Sequence, residues 1–355
     1  MTEVERIAGK VRDGGRVTYE EAISLSSQAS IHLLGELADG LRARLHPEGV
    51  VSYIVDRNIN YTNICISGCR FCAFFVAPGD SRGYVLSREE LARKIDETLA
   101  LGGNQILLQG GLHPELPLTF YEDMLAFMKE KGVHCHAFSP PEIVHFARLS
   151  GLSIREVLKR LIAAGLDSIP GGGAEILVDR VREAIAPRKA TTAEWLSVME
   201  TAHELGLKTT ATMMFGHVET QGERIKHMMA IRDLQDRTNG FTAFIPWPFQ
   251  PRNTHIPVHP ATAHEYLKVL SLSRIVLDNV PNIQASWVTQ GPKIAQIALF
   301  FGANDFGSTM IEENVVAATG VSHRLSEEEI RRTIEAAGFR PSRRTMDYRL
   351  LNGNK

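Results

Sequence analysis

The 355-residue sequence predicts an α/β fold, a (β/α)8 barrel of the TIM type. Three observations predict it. From about residue 50, short apolar runs alternate with longer helical ones about eight times. No composition break or flexible linker interrupts that alternation. Polar and glycine-rich residues cluster just behind the apolar runs, where a barrel carries the loops of its C-terminal mouth. A doubly wound open sheet also fits the alternation, but no GxGxxG turn follows the first strand.

Residues 17–45 read as two helices, with Thr18 capping YEEAISL and a second amphipathic stretch in IHLLGELADGLRARL. They belong to an N-terminal helical extension over residues 1–48, ahead of a barrel over 49–345. Strands are expected at 50–56, 104–109, 134–138, 167–170, 208–215, 241–246 and 282–286, with a short last one near GAND at 302–305. The connecting helices include 88–101, 153–165, 192–206 and 264–277. QGGLHP, SPPE, PGGGAE, GHVET and PWPFQP follow the second to sixth strands, so a barrel gathers them at one mouth.

Apolar residues make up 44% of the chain, enough for a full globular core. A net charge of -2 gives no electrostatic case for gripping nucleic acid or an anionic membrane. The opening MTEVERIAGKVRDGG lacks the apolar segment of a signal peptide, and no run of about 18 apolar residues occurs. A cytoplasmic, reducing setting is expected, in which clustered cysteines are ligands or catalysts more often than disulfides.

Cys65, Cys69 and Cys72 form CxxxCxxC directly behind the first strand. Thiolates are soft ligands suited to iron–sulfur iron or zinc. Structural zinc wants four closed ligands, usually in two paired halves, and no second half is present. Cys135 stands alone in a strand, and its neighbours His134 and His136 are read as facing opposite ways, unable to share a metal. Three thiolates on a cubane leave one iron open to the amine and carboxylate of a small molecule. With Phe71 ahead of the last cysteine, the run resembles the CxxxCxΦC signature of radical S-adenosylmethionine enzymes. A zinc or noncatalytic iron–sulfur site is the alternative.

Beyond the cysteines, LLQGGLHP, HAFSPPEI, AGLDSIPGGGAEIL, TATMMFGHVET, FTAFIPWPFQP, SWVTQG and GANDFGSTMIEENVV resemble the cyclic dehypoxanthinyl futalosine synthase family over residues 50–340. PGGGAE and the GHVET-like segment are shared with aminofutalosine synthases and deazaflavin synthases. HAFSPPEI, TMMFGHVET and IPWPFQP discriminate among them. The resemblance implies a [4Fe–4S] cluster and S-adenosyl-L-methionine as cofactors, an electron donor such as flavodoxin or ferredoxin, and a place in menaquinone biosynthesis. It implies that a 5′-deoxyadenosyl radical takes hydrogen from the ribose of dehypoxanthine futalosine. The carbon radical then adds to the benzoate ring, and the spirocycle loses an electron and a proton. A related synthase acting on another substrate is the runner-up.

For cofactor binding the sequence offers Gly110 and Gly111, which permit close backbone approach, and Glu175, expected one turn into a helix behind its triple glycine. Gln109, Ser139, Thr289 and Gln290 are candidate hydrogen-bonding groups, and His113 and Glu142 lie on comparable loops. For the closing proton the candidates are His217, Asp305 and Glu219, all placed at the mouth, with Asp305 read as following the last strand. Trp247, Phe249 and Trp287 are candidate pocket aromatics, while Met213 and Met214 read as core.

Overall fold

The computed structural model describes residues 2–351. Ten strands run in chain order: β1 Val50–Ile54, β2 Asp56–Asn60, β3 Gln105–Gln109, β4 His134–Ala137, β5 Ser168–Ile169, β6 Lys208–Phe215, β7 Phe241–Pro248, β8 Asn282–Ile283, β9 Asp305–Ser308 and β10 Arg340–Arg343. β2 to β8 form one seven-stranded parallel sheet in sequence order, and β10, β1 and β9 form a second. β1 and β2 are one run that changes sheet at Val55. β9 pairs with β1 through Ser52–Asp305 and Ile54–Ser308, and meets β8 through a Gln284–Asp305 bridge. The sheet therefore curls into the expected eight-position barrel, with its seam at β8 and β9.

Alternation along the strands separates an inner wall from an outer core. On β3, Gln105, Leu107 and Gln109 line an internal cavity while Ile106 and Leu108 are buried beneath the helices. On β2, Asp56 and Asn58 face inward. On β4 the buried Cys135 joins the hydrophobic core. Two of the sequence expectations fail here. His134 and His136 do not face opposite ways: residues two apart share a face, and both rings reach one Ser168 hydroxyl. Asp305 does not follow the last strand; it begins it, at the end away from the mouth.

Helices Glu3–Arg12, Tyr19–Gln28 and Ile31–Leu45 precede the barrel, and the last packs on the barrel helix Ala263–Val276. Thr18 caps as expected: Glu21 N donates to its hydroxyl at 3.2 Å, and its own N–H donates to the Glu21 carboxylate at 3.0 Å. Such a cap stabilises by about 1 kcal/mol. The anticipated barrel helices form at Arg88–Ala100, Ile154–Ala164, Thr192–Glu204 and Ala263–Val276. β10, absent from the sequence reading, lies beside β1 below the point where β3 takes over as neighbour of β2. The chain beyond it carries Arg344 and Tyr348 to the cavity, and Asp305 stands behind them. No helix among the described residues is long and apolar enough to cross a membrane.

Candidate active site

The loop behind β2 carries the three cysteines, and neighbouring loops hold it from both sides. Ile66 N donates to the Leu112 carbonyl at 3.0 Å, and Gly111 N to the Thr62 carbonyl at 3.0 Å. Gly111 must be glycine here, because a Cβ would overlap the Ile64 carbonyl. From the other side Arg188 Nε donates to the Ser67 carbonyl at 3.2 Å.

The sulfurs are prepared for the anionic state. Backbone N–H groups of Ser67 and Leu112 point to Cys65 Sγ at 3.4 and 3.3 Å, and the Ser67 hydroxyl lies 3.1 Å from Cys69 Sγ. Burial pushes the Cys69 thiol up to about 11, a cost that metal coordination offsets by displacing the proton. No three Cys, His, Asp or Glu side chains among the described residues are close enough to share a single ion. Three soft thiolates without a fourth ligand suit a [4Fe–4S] cluster, which would bind them through three of its irons. Cys135 is remote, buried in the β4 core.

Glu175 adopts a left-handed φ of 39° in an irregular loop, so the helix expected around it is absent; the next helix starts at Asp179. Buried Arg182 fixes this loop by donating to the Gly173, Ala174 and Ala190 carbonyls. Lys189 Nζ donates to Glu175 Oε1 at 2.9 Å and stands 5.2 Å from the Phe71 ring centre. Burial opposes the Lys189 charge, but the Glu175 carboxylate and the Cys69 sulfur raise its pKa above the ordinary value. The chain Glu175–Lys189–Phe71 thus links the cavity wall to the cysteine loop.

Gln109 lines the cavity, with its amide against Gly172, where a Cβ would overlap it. Ser139 and Glu142 act otherwise. Ser139 caps the helix Pro140–Ser150, and its hydroxyl donates to Glu142 Oε2 at 2.6 Å. Glu142 also accepts from Tyr61 Oη at 2.8 Å and Gly110 N at 3.1 Å, joining three loops from a buried position. His113 serves its own loop, accepting from Glu115 N at 3.1 Å.

The cavity occupies about 280 Å³ inside the barrel. Trp247, Trp287 and Thr289 line it; Phe249, Gln290, Met213 and Met214 do not. Asn58 Oδ1 and Gln105 Oε1 are buried with no hydrogen-bond partner, an arrangement costly unless a ligand supplies one.

None of the three expected bases reaches this cavity. His217 Nδ1 accepts from Val218 N at 2.8 Å, and its Nε2–H donates to the Met214 carbonyl at 3.0 Å. Burial lowers its pKa. Glu219 accepts from Gly216 N at 2.6 Å, His217 N at 2.9 Å and Arg224 Nε at 2.7 Å. Burial works against its charge, yet these neighbours hold the carboxyl below the ordinary range. Both side chains are fully enclosed and fix the turn behind β6. Asp305 is enclosed in an ion pair with Arg344.

The structure brings instead Asp56, Asn58, Gln105, His136, Ser308 and Arg344 to the cavity; of these the sequence reading weighed only His136, as a metal ligand, and set it aside. One signal was present: DRNIN places polar residues at every second position, on a face that a packed barrel interior fills with apolar side chains.

Residues 59–231 match the radical SAM superfamily, and residues 238–355 match the family described as CofH/MqnC C-terminal region. Cyclic dehypoxanthine futalosine synthase of Streptomyces coelicolor is 44% identical over 99% of this chain and 90% of its own length. The same-named protein of Halalkalibacterium halodurans is 43% identical over 98% of this chain and 95% of its own length. The 5-amino-6-(D-ribitylamino)uracil--L-tyrosine 4-hydroxyphenyl transferase of Methanococcoides burtonii is 43% identical over 95% and 96% respectively. Radical SAM enzymes use a [4Fe–4S] cluster and S-adenosylmethionine as cofactors, and the chain is an enzyme of that kind. The chain belongs to the cyclic dehypoxanthine futalosine synthase family of radical S-adenosylmethionine enzymes.

Proposed function

We propose that the protein cyclises dehypoxanthine futalosine within the futalosine route to menaquinone. The observation that carries this reading is the barrel cavity with its unpartnered Asn58 and Gln105 oxygens, walled by Glu175 and tied through Lys189 to the cysteine loop. A nucleoside-like substrate offers hydroxyls to those two acceptors and an aromatic ring to Trp247 or Trp287.

Cys65, Cys69 and Cys72 would hold the cluster, which with S-adenosylmethionine would supply the radical chemistry. Gly110 and Gly111 keep the strand end low against the cysteine loop, and Glu175 with Lys189 presents a fixed charge pair beside it. The enclosing β-strands keep water from a reactive carbon radical. A one-electron donor of the flavodoxin or ferredoxin kind and a cytoplasmic setting complete the reading.

The 43%-identical transferase supports a second reading, joining L-tyrosine to a ribitylaminouracil. The reconstituted protein should be given dehypoxanthine futalosine, S-adenosylmethionine and reductant, and separately L-tyrosine with 5-amino-6-(D-ribitylamino)uracil. A cyclised product lighter than dehypoxanthine futalosine by one hydrogen from the ribose and one from the ring, found only in the first mixture, is expected; a coupled product in the second mixture alone would replace this reading with the transferase.

A further inference from the structure

We propose that His136, Ser168 and His134 form a proton wire that carries the ring proton released in the reaction from the cavity to the opposite end of the barrel. The inference rests on the cyclisation proposed above.

His136 Nδ1 lies 2.7 Å from Ser168 Oγ, and Ser168 Oγ lies 2.8 Å from His134 Nε2. One hydroxyl carries one proton, so between two ring nitrogens it accepts from one and donates to the other. That is a directional wire by construction. His136 lines the cavity, and its Nε2 has no hydrogen-bond partner among the described residues. His134 and Ser168 instead line a second cavity of about 510 Å³ at the strand starts, with Lys129, Asp167, Lys208 and Asp347 around it. Gln105 and Met346 border both cavities, so the partition the wire crosses is one layer of side chains thick.

Of the other ionisable groups lining the main cavity, Tyr348 has an unpartnered hydroxyl, but burial raises its pKa far above the ordinary value and so it offers no base; the rest are engaged. Asp56 accepts from Ser308 Oγ and from Gln105 Nε2. Glu175 is paired with Lys189, Glu313 takes three backbone N–H groups, and Arg344 is paired with Asp305. Burial and the nearby Arg344 and His134 keep His136 neutral, the state that accepts a proton; Asp167, Lys129 and Asp347 are the charges facing His134.

In the closing step the ring radical gives one electron to an acceptor of the iron–sulfur class, and the ring C–H bond breaks with its electron pair remaining in the restored aromatic ring. The proton passes to His136 Nε2. The Nδ1 proton moves to Ser168, the Ser168 proton to His134 Nε2, and the His134 Nδ1 proton to solvent. A cationic ring carbon is a strong acid, so a weakly basic imidazole suffices, and draining the charge through the wire avoids an imidazolium beside Arg344.

The test uses cluster-loaded protein labelled with ¹⁵N-histidine, and Ser168→Ala, Ser168→Thr and His136→Gln variants. Imidazole spectra should show an Nδ1–H tautomer for His136, lost in Ser168→Ala and retained in Ser168→Thr. In single turnover with dehypoxanthine futalosine, His136→Gln should keep wild-type 5′-deoxyadenosine while cyclised product falls about 10²-fold, a usual general-base contribution. Ser168→Ala should lose roughly tenfold on the same ratio, with Ser168→Thr near wild type. An unchanged product ratio in His136→Gln, or equal losses in the two Ser168 variants, overturns the wire. If wild type forms no cyclised product at all, the proposed function fails instead, and the tautomer spectra alone then decide whether the wire exists.

Discussion

Arg344 grips Asp305 inside the barrel, Nε to Oδ2 at 2.6 Å and Nη2 to Oδ1 at 3.0 Å, with both side chains almost wholly enclosed. Ser52 Oγ and Gly307 N complete the carboxylate's partners, and the Tyr348 ring lies 3.9 Å from the guanidinium carbon. The pair ties the C-terminal segment to the start of β9. Removing one partner strands the other as a buried charge, so Asp305→Asn should lower the unfolding free energy by about 3–5 kcal/mol. Asp305→Asn with Arg344→Met should recover part of that loss in urea unfolding. An additive double variant would show that the two groups are not coupled.

Each of the three loop cysteines should be necessary for the cluster, and Cys135 should not be. Reconstituted wild type should hold about four irons and four sulfides per chain. Cys69→Ala should lose them while keeping its far-ultraviolet circular dichroism, since the cysteine loop contributes no helix or strand. Cys135→Ala should keep both iron and activity, because that thiol sits in the core as a small hydrophobe. Iron lost from Cys135→Ala would place a ligand where the structure has none.

His217 and Glu219 should behave as parts of a turn and not as proton acceptors. With every polar atom of both side chains committed to loop and helix, Glu219→Gln should weaken the Arg224 contact and lower stability by roughly 1–3 kcal/mol. The ratio of cyclised product to 5′-deoxyadenosine should stay at the wild-type value. A selective loss of cyclised product in this variant would return Glu219 to the proton step.

Period-two and helical apolar patterns were enough to place most strands and the mouth loops, because both depend on local spacing; they missed β10 and set the last barrel strand early. The cysteine triad was equally legible, since CxxxCxΦC packs its whole meaning into eight residues. The cavity was not. Its wall comes from single inward positions such as Asn58, Gln105 and His136, each beside a residue that points into the core, Ile59, Ile106 and Cys135. Asp305 illustrates the same limit: its partner Arg344 is 39 residues away on β10's trailing segment, and no local pattern announces the pairing. Glu142 was ambiguous in the sequence for a physical reason, as the capping position that starts its helix also lets it reach Tyr61 and Gly110.

Buried His203 gives the fold a defined acid sensitivity. Thr238 Oγ1 donates to the Leu234 carbonyl at 2.9 Å, so it accepts from His203 Nδ1–H at 2.7 Å. Thr209 Oγ1, 2.7 Å away, must then donate to Nε2, which fixes a neutral ring edge-on to Phe241. Burial, helped by nearby Lys208, lowers its pKa to about 4. In the unfolded chain a histidine titrates near 6.5. Between those values the unfolded state binds more protons than the folded one, so stability rises with pH across the window. The contribution is fully present above about pH 6.5 and is lost as pH falls toward 4, reaching about 2–3 kcal/mol by pH 4.5. Urea unfolding of wild type and His203→Gln at pH 7 and pH 4.5 isolates it, because every other titrating group is common to both proteins. The wild type should lose about 2–3 kcal/mol more than the variant over that interval. Equal losses would mean that the His203 ring titrates in the folded protein as it does when unfolded.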